Sequence, residues 1–219
     1  MIKADYVNHM GDDLTVVNSA RVSFSKESSF LHSIDKTLNQ GDARLISYLA
    51  KHKHFTPFTH PQITLRETVP IFIARQRFKH VVGFTYNEVS RRYVDDTPEF
   101  YTPDVWRNRP IGSVKQGSDG ASDNQHLWQS AYANLIDEAL STYQAMIQGG
   151  IAPEQARMVL PQSMLTSYYV TGSLAAFARA YTQRIDPHAQ VEIQTLAVQW
   201  DSVIRPLFPI SWKALTTTV

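Results

Sequence analysis

An α+β fold, with several helices packed around a small, mainly antiparallel sheet, follows from three features of this sequence. Apolar residues recur at helical spacing in several separate segments. Residues 62 to 68 alternate instead, with Ile63 and Leu65 facing one way and Thr64 and Arg66 the other, which is the pattern of a half-buried strand. The 219 residues contain no repeat, low-complexity tract or clear linker, so one domain over 1–219 is expected.

Each element has a local reason. Asp12 and Asp13 cap a first helix running to about Arg21, with Leu14, Val17 and Ala20 or Arg21 at helical spacing. Residues 25–38 are polar, with Ser and Lys, and read as a loop or short helix. A second helix runs from Asp42 to about Lys53, with Leu45, Ile46 and Leu49 on one face. It breaks across residues 52–60, because Pro57 disfavours helix at Thr56. After the strand, Pro70 suits the first turn of a helix that starts buried at Ile71–Ala74. If that helix continues, Gln76 and His80 share one face, and Arg75 and Lys79 the adjoining one. Residues 94–125, rich in Pro, Gly, Asp and Ser, read as a long irregular excursion anchored by Tyr101 and Trp106. An amphipathic helix spans His126 to Gln148, with Leu127, Ala131, Leu135, Ala139 and Tyr143 on one stripe, and Gly149-Gly150 stops it. A short helix runs from Pro153 through Leu160, and Ser173 caps another from Leu174 to about Gln183. Pro187 opens the last long helix, whose Ile193, Leu196, Ala197, Trp200 and Ile204 form a buried stripe, and Pro206 ends it.

Composition narrows the chemistry. The chain is 43% hydrophobic and 11% aromatic, which suits a globular protein. Its 21 Lys and Arg against 20 Asp and Glu leave a net charge of +1, too balanced for a nucleic-acid binder, so any anion site must be local. No apolar run approaches the roughly 18 residues of a membrane span, and the first residues lack a secretory apolar core. A soluble, cytoplasmic protein is expected. There is no cysteine, which excludes disulfides, zinc-thiolate sites and thiolate nucleophiles. His52, His54 and His60 could suggest a metal, but the helix-to-loop break among them and the lack of Cys argue against one; no metal is expected. His188 and Glu192, at i and i+4, lack the wider pattern of a zinc helix.

Residues 75–93 gather five cations (Arg75, Arg77, Lys79, Arg91, Arg92) with Glu88, His80, Asn87 and Ser90. Such a group suits an anionic, planar, hydrogen-bonding ligand such as a nucleotide, or else forms a solvated basic face. Spacing separates the two readings. Lys79-His80-Val81 lies eight residues (82 to 89) before Ser90, and Asn87-Glu88-Val89-Ser90-Arg91-Arg92-Tyr93 follows in register. Arg75-Gln76-Arg77 is nearer in composition but lies twelve residues before Ser90. This run resembles the signature of the flavin-dependent thymidylate synthases: Arg-His-Arg, seven or eight residues, then Ser, ending in Asn-Glu-x-Ser-x-Arg-Tyr. Lys79 then stands for the first arginine of the triplet and Val81 for the second. Segments 20–24, 54–60, 70–76, 156–161 and 184–193 are similar to family segments in family order, so the resemblance covers roughly residues 4 to 205.

The resemblance implies a thymidylate-synthase-complementing type of fold. It also implies a homotetramer with sites between subunits, which binds FAD, dUMP, methylene-tetrahydrofolate and NADPH and makes dTMP by methylating uracil C5. Without a cysteine thiolate to attack C6, activation must come from electrostatics and a cofactor. By match to the family, Arg184 is catalytic and sits against the uracil. Gln76, Lys79, Glu88, Ser90, Arg91, Arg92 and Arg157 bind dUMP, with Ser90 a hydrogen-bonding group and not a nucleophile. His54, Thr56, Lys79, His80 and Glu88 bind FAD, while His54 and His60 could equally be loop histidines. Tyr168 and Tyr169 could stack on a ligand ring or belong to the core. No nucleic-acid polymer or membrane is expected as a partner. Two alternatives stay open: a flavin- and folate-dependent hydroxymethylase of a pyrimidine nucleotide, and a nucleotide-binding homologue without catalysis.

Overall fold

The structure, a computed structural model, describes residues 1–94, 96–111 and 117–217. In chain order the elements are β1 (Lys3–Met10), α1 (Asp13–Arg21), α2 (Gln40–Lys51), β2 (Gln62–Pro70), α3 (Ile71–Arg77) and β3 (Phe84–Glu88). A short pair, β4 (Arg107–Asn108) and β5 (Asp119–Ala121), then precedes α4 (Gln125–Gln148) and α5 (Pro153–Ala156). The chain closes with β6 (Leu165–Ser173), α6 (Leu174–Arg184), α7 (Val191–Leu207) and α8 (Pro209–Thr216).

The main sheet has the order β1-β2-β6-β3, and every pair is antiparallel. The expected α+β architecture is therefore present. In β2 the alternation holds: Ile63, Leu65 and Val69 face the core, and Thr64, Arg66 and Thr68 lie on the other side. Glu67 occupies the same inward series and is fully buried. The helical side of the core is built from Phe177 on α6, Ile193, Leu196, Trp200 and Ile204 on α7, and Trp212 on α8, all at 0% exposure. Each such side chain contributes on the order of 1.5–3 kcal/mol by leaving water.

Helix ends show how distant segments are joined. Asp12 and Thr15 form a reciprocal capping box on α1. Asp13, one residue on, caps a different helix: its carboxylate accepts from the backbone N–H groups of Ile210 and Ser211, both at 2.9 Å, at the start of α8. Asn39 caps α2, and Ser173 caps α6 as expected, its hydroxyl accepting from the Ala176 N–H at 3.2 Å.

Several expectations need correction. The strands β1, β3 and β6 were not foreseen; β3 lies inside the basic run, where a helix followed by a loop was expected. The helix that begins at Ile71 ends at Arg77, so Gln76 and His80 do not share a helix face. Helix α2 starts at Gln40, and Thr56–Thr59 form a 3-10 turn with Pro57 in its first turn. The last long helix starts at Val191, not Pro187, and Pro206 sits inside its final turn. His188 is thus off the helix and pairs with Asp186, while Glu192 meets Arg107. On α4 the expected stripe is not covered: Tyr143 is buried, but Leu127 and Leu135 are exposed. The short helix at Pro153 turns 3-10 over Arg157–Val159. Tyr101 and Trp106 do anchor the excursion. Tyr132 donates its hydroxyl hydrogen to the Tyr101 carbonyl, and its ring lies 5.4 Å from that of Trp106. Residues 95 and 112–116 of that excursion lie outside the described residues. Among the described residues no helix is long and apolar enough to cross a membrane.

Candidate functional site

The site grows from a buried ion pair. Arg77, in the last turn of α3, points inward; its Nε lies 3.0 Å from Glu67 Oε2, and both side chains are fully buried. Tyr168 and Trp200 donate to the same carboxylate at 2.6 and 2.8 Å. The guanidinium packs over the rings of Phe84 (4.3 Å) and Trp200 (4.7 Å). Burial is the largest influence on Arg77 and would lower its pKa, but the Glu67 charge and hydrogen bond, with Tyr86 and Tyr168, together outweigh it and raise that pKa. Arg77 therefore belongs to the core and not to the anion-binding cations among which its sequence position had placed it. Tyr168 likewise is core, whereas Tyr169 is exposed.

This core holds the next segment. The Arg77 guanidinium donates to Tyr86 Oη at 2.6 Å, and Tyr86 Oη in turn lies 2.7 Å from the backbone carbonyl of His80, to which it donates. Gly83, at φ +79°, lets the chain turn tightly against α6; a Cβ there would sit 2.9 Å from the Ala176 methyl. His80 is buried and faces the end of α6. Arg184 Nε donates to His80 Nε2 at 2.9 Å, and Arg184 Nη2 donates to the Gln76 carbonyl at 3.3 Å. The expected catalytic arginine and the Lys79-His80-Val81 corner thus meet within one chain. Burial, reinforced by the charges of Arg184, Arg77 and Arg179, pushes His80 down to about 4. The ring is therefore neutral near pH 7 and accepts at Nε2, so its proton is on Nδ1. Burial and Arg77 also lower the pKa of Arg184, but a guanidinium remains charged.

Two clefts flank α3. The first, about 990 Å3, lies at the end of β3 and is lined by Arg66, Arg75, Glu88, Ser90, Arg91, Arg92 and Arg157, among others. Here Ser90 Oγ accepts from the backbone N–H and Nε of Arg92, both at 3.3 Å. Among the described residues no acid–imidazole relay reaches it. Glu88 accepts from the Thr166 hydroxyl at 2.6 Å, and Arg91 is committed to Asp96 at 2.8 Å. The second cleft, about 930 Å3, holds Gln76, Arg107, Arg184, Asp186, His188 and Gln190. Arg107 spans from Ser118 to Glu192, at 2.7 and 2.6 Å.

The structure therefore divides the expected dUMP residues. Glu88, Ser90, Arg91, Arg92 and Arg157 gather in the first cleft, Gln76 and Arg184 in the second, and Lys79 is exposed and lines neither. Arg75 and Gln76 are successive residues on a helix with 3.6 residues per turn, so they point to different sides. Of the expected FAD residues, His80 is at the corner and Glu88 in the first cleft. His54 and Thr56 are exposed beyond α2 and line neither cleft. Among the described residues no group of three or more His, Asp or Glu could hold a metal ion. Sequence reasoning missed Arg107, Gln190 and Arg179. Arg107 lies in the irregular excursion, Gln190 acts by accepting from the Gln76 amide, and Arg179 carries no motif of its own.

The family model described as thymidylate synthase complementing protein matches residues 6–210. A flavin-dependent thymidylate synthase from Thermosipho africanus is 36% identical over 211 residues, covering 95% of this chain and 88% of the relative. One from Thermus thermophilus is 35% identical over 209 residues, covering 95% and 73%. The crystal structure of a UMP/dUMP methylase, PolB from Streptomyces cacaoi, bound with 5-Br dUMP, has a TM-score of 0.86 at 29% identity and covers 99% of this chain and 95% of that one. The same protein bound with 5-Br UMP gives a TM-score of 0.84.

Proposed function

Because the chain belongs to the flavin-dependent thymidylate synthase family, we propose that it methylates C5 of dUMP to form dTMP, with methylene-tetrahydrofolate as carbon donor and FAD and NADPH as the reducing system. The observation that carries this reading is the Arg184 guanidinium, fixed by neutral His80 and the Gln76 carbonyl at the edge of a cleft. A guanidinium has five N–H donors, and among the described residues Arg184 commits Nε and Nη2 to these two partners. Its remaining donors are free to meet the carbonyl and N3 edge of a pyrimidine. A cation already in place there would favour negative charge on that edge, which makes C5 a better nucleophile toward the one-carbon donor, and it avoids reorganisation. With no cysteine in the chain, a thiolate does not share this task.

The corner also suits a flavin. Lys79, Arg179 and Arg184 lie on or beside the His80 segment, and none of them has an ion-pair partner among the described residues; Asp186, in the Arg184 cleft, is paired with His188. Unbalanced cations fit the phosphates of a dinucleotide. His54, Thr56, Lys79, His80 and Glu88 would hold the cofactor, which supplies the hydride that completes the methyl group. The division of the expected nucleotide residues between two clefts supports sites shared between subunits, as in a homotetramer, where one chain's first cleft meets another chain's second.

A second reading, that UMP is methylated as well, is favoured by the similarity to a methylase named for both nucleotides. The test begins with the spectrum of the purified protein before and after anaerobic NADPH. Mass spectrometry of the products from dUMP and from UMP follows. A flavin band bleached by NADPH and a dTMP product are expected. A protein that takes up no FAD, or a product heavier than dTMP by one oxygen, would overturn the main reading.

A further inference from the structure

We propose that Arg179 supplies the flavin-binding cation that the family triplet carries at the position of Val81. This inference rests on the reading above. In the triplet register, Lys79-His80-Val81 stands where the family has Arg-His-Arg, so this chain lacks a guanidinium two residues after Lys79. Val81 is exposed, at 67%, and offers a ligand an apolar side chain where a charge is expected.

A guanidinium nevertheless reaches this place from another element. Arg179 is on α6, five residues before Arg184, or about 7.5 Å along the helix axis. Its Nη2 donates to the backbone carbonyl of Val82, which brings the guanidinium against the 81–83 turn. It is also close enough to His80 to help hold that ring neutral. Its helical neighbours Ala176, Phe177, Ala178 and Ala180 are buried, whereas Arg179 is exposed. One hydrogen bond to an exposed carbonyl is a small structural return for a long charged side chain.

The charge pattern points the same way. With Lys79 and Arg184, Arg179 makes three cations around His80, none with an ion-pair partner among the described residues. Such a cluster repels itself unless an anion joins it. A guanidinium with donors to spare matches the forked oxygens of a phosphate, and the flavin dinucleotide brings two of them.

The test is titration of apo-protein with FAD, followed by flavin fluorescence and by absorbance. Arg179→Gln keeps a donor for the Val82 carbonyl but loses the charge. It should bind FAD about tenfold more weakly than wild type, with a shallower dependence on salt. Val81→Arg added to Arg179→Gln should recover most of the loss. Arg179→Lys, which keeps the charge but loses the planar fork, serves as a second variant should the first fold poorly, and it should fall between wild type and Arg179→Gln. Unchanged affinity in Arg179→Gln with an intact circular dichroism spectrum, no recovery in the double variant, or Arg179→Lys as weak as Arg179→Gln would each overturn the proposal. Wild-type protein that takes up no FAD would instead sink the functional reading itself, so the two failures are distinguishable.

Discussion

Acidification should unlatch Arg184 by protonating His80, and the magnitude follows from the surroundings of the ring. An unperturbed histidine titrates near 6.5, whereas His80 is pushed down to about 4 by burial and by Arg184, Arg77 and Arg179. The folded state thus binds fewer protons than the unfolded chain through this window, and stability rises with pH. The contribution is fully present above the unfolded value of about 6.5, is lost as pH falls, and saturates below the folded value. Linkage over these two pKa values removes about 2 kcal/mol between pH 8 and pH 5, and about 3 kcal/mol by the time both states are protonated. Protonated Nε2 can no longer accept from Arg184 Nε, so the guanidinium should lose its fixed direction over the same range. The assay is denaturant unfolding of wild type and His80→Gln at matched protein concentration from pH 8 to pH 5, with the His80 ring followed by NMR. Gln keeps an acceptor for Arg184 but does not titrate, so wild type should lose about 2 kcal/mol more than the variant. Parallel stability curves, or a ring that titrates near 6.5, would refute the reasoning.

Three further outcomes are expected. Arg184→Ala should lower turnover by at least about 10²–10³-fold while dUMP still binds measurably by calorimetry, since the lost interaction is with developing charge; undiminished turnover would count against the assigned role. Glu67→Gln leaves Arg77 buried without its counter-charge and should cost about 3–5 kcal/mol in denaturant unfolding; a loss below about 1 kcal/mol would mean that Tyr86 and the surrounding rings suffice to hold the cation. Asp13→Ala removes the carboxylate that caps α8 from α1 and should destabilise by about 1–2 kcal/mol. An unchanged melting transition would show that cap to be replaceable by water.

Much of the helical frame was legible because periodicity is local. The stripe on α7, from Ile193 to Ile204, is buried at every position, and Ser173 does cap α6. The strands were harder to read. β6 carries alternating burial at Thr166, Tyr168 and Val170, but its two faces differ too little in polarity to stand out. β3 is half polar because it leads into the site, so its sequence reads as loop. The exposed face of α4 shows the converse: apolar spacing identifies a face to be covered without naming what covers it.

By itself the sequence determined the family and the absence of a thiol, and it suggested the register that aligns Lys79-His80-Val81 with Ser90 and the expectation that Arg184 is the working cation. Tertiary structure alone decided where several cations in and around the basic run are directed. Arg77 turns inward because Glu67, ten residues earlier, is buried on the neighbouring strand; Arg91 is neutralised by Asp96; and Arg179 comes from a distant helix to the turn at Val82. Charge and spacing are properties of the chain, but whether a charge meets a partner or solvent depends on which elements the fold brings together, from Arg77 and Glu67 on adjoining elements to Arg179 and Val82, 97 residues apart, and local periodicity carries no information about those.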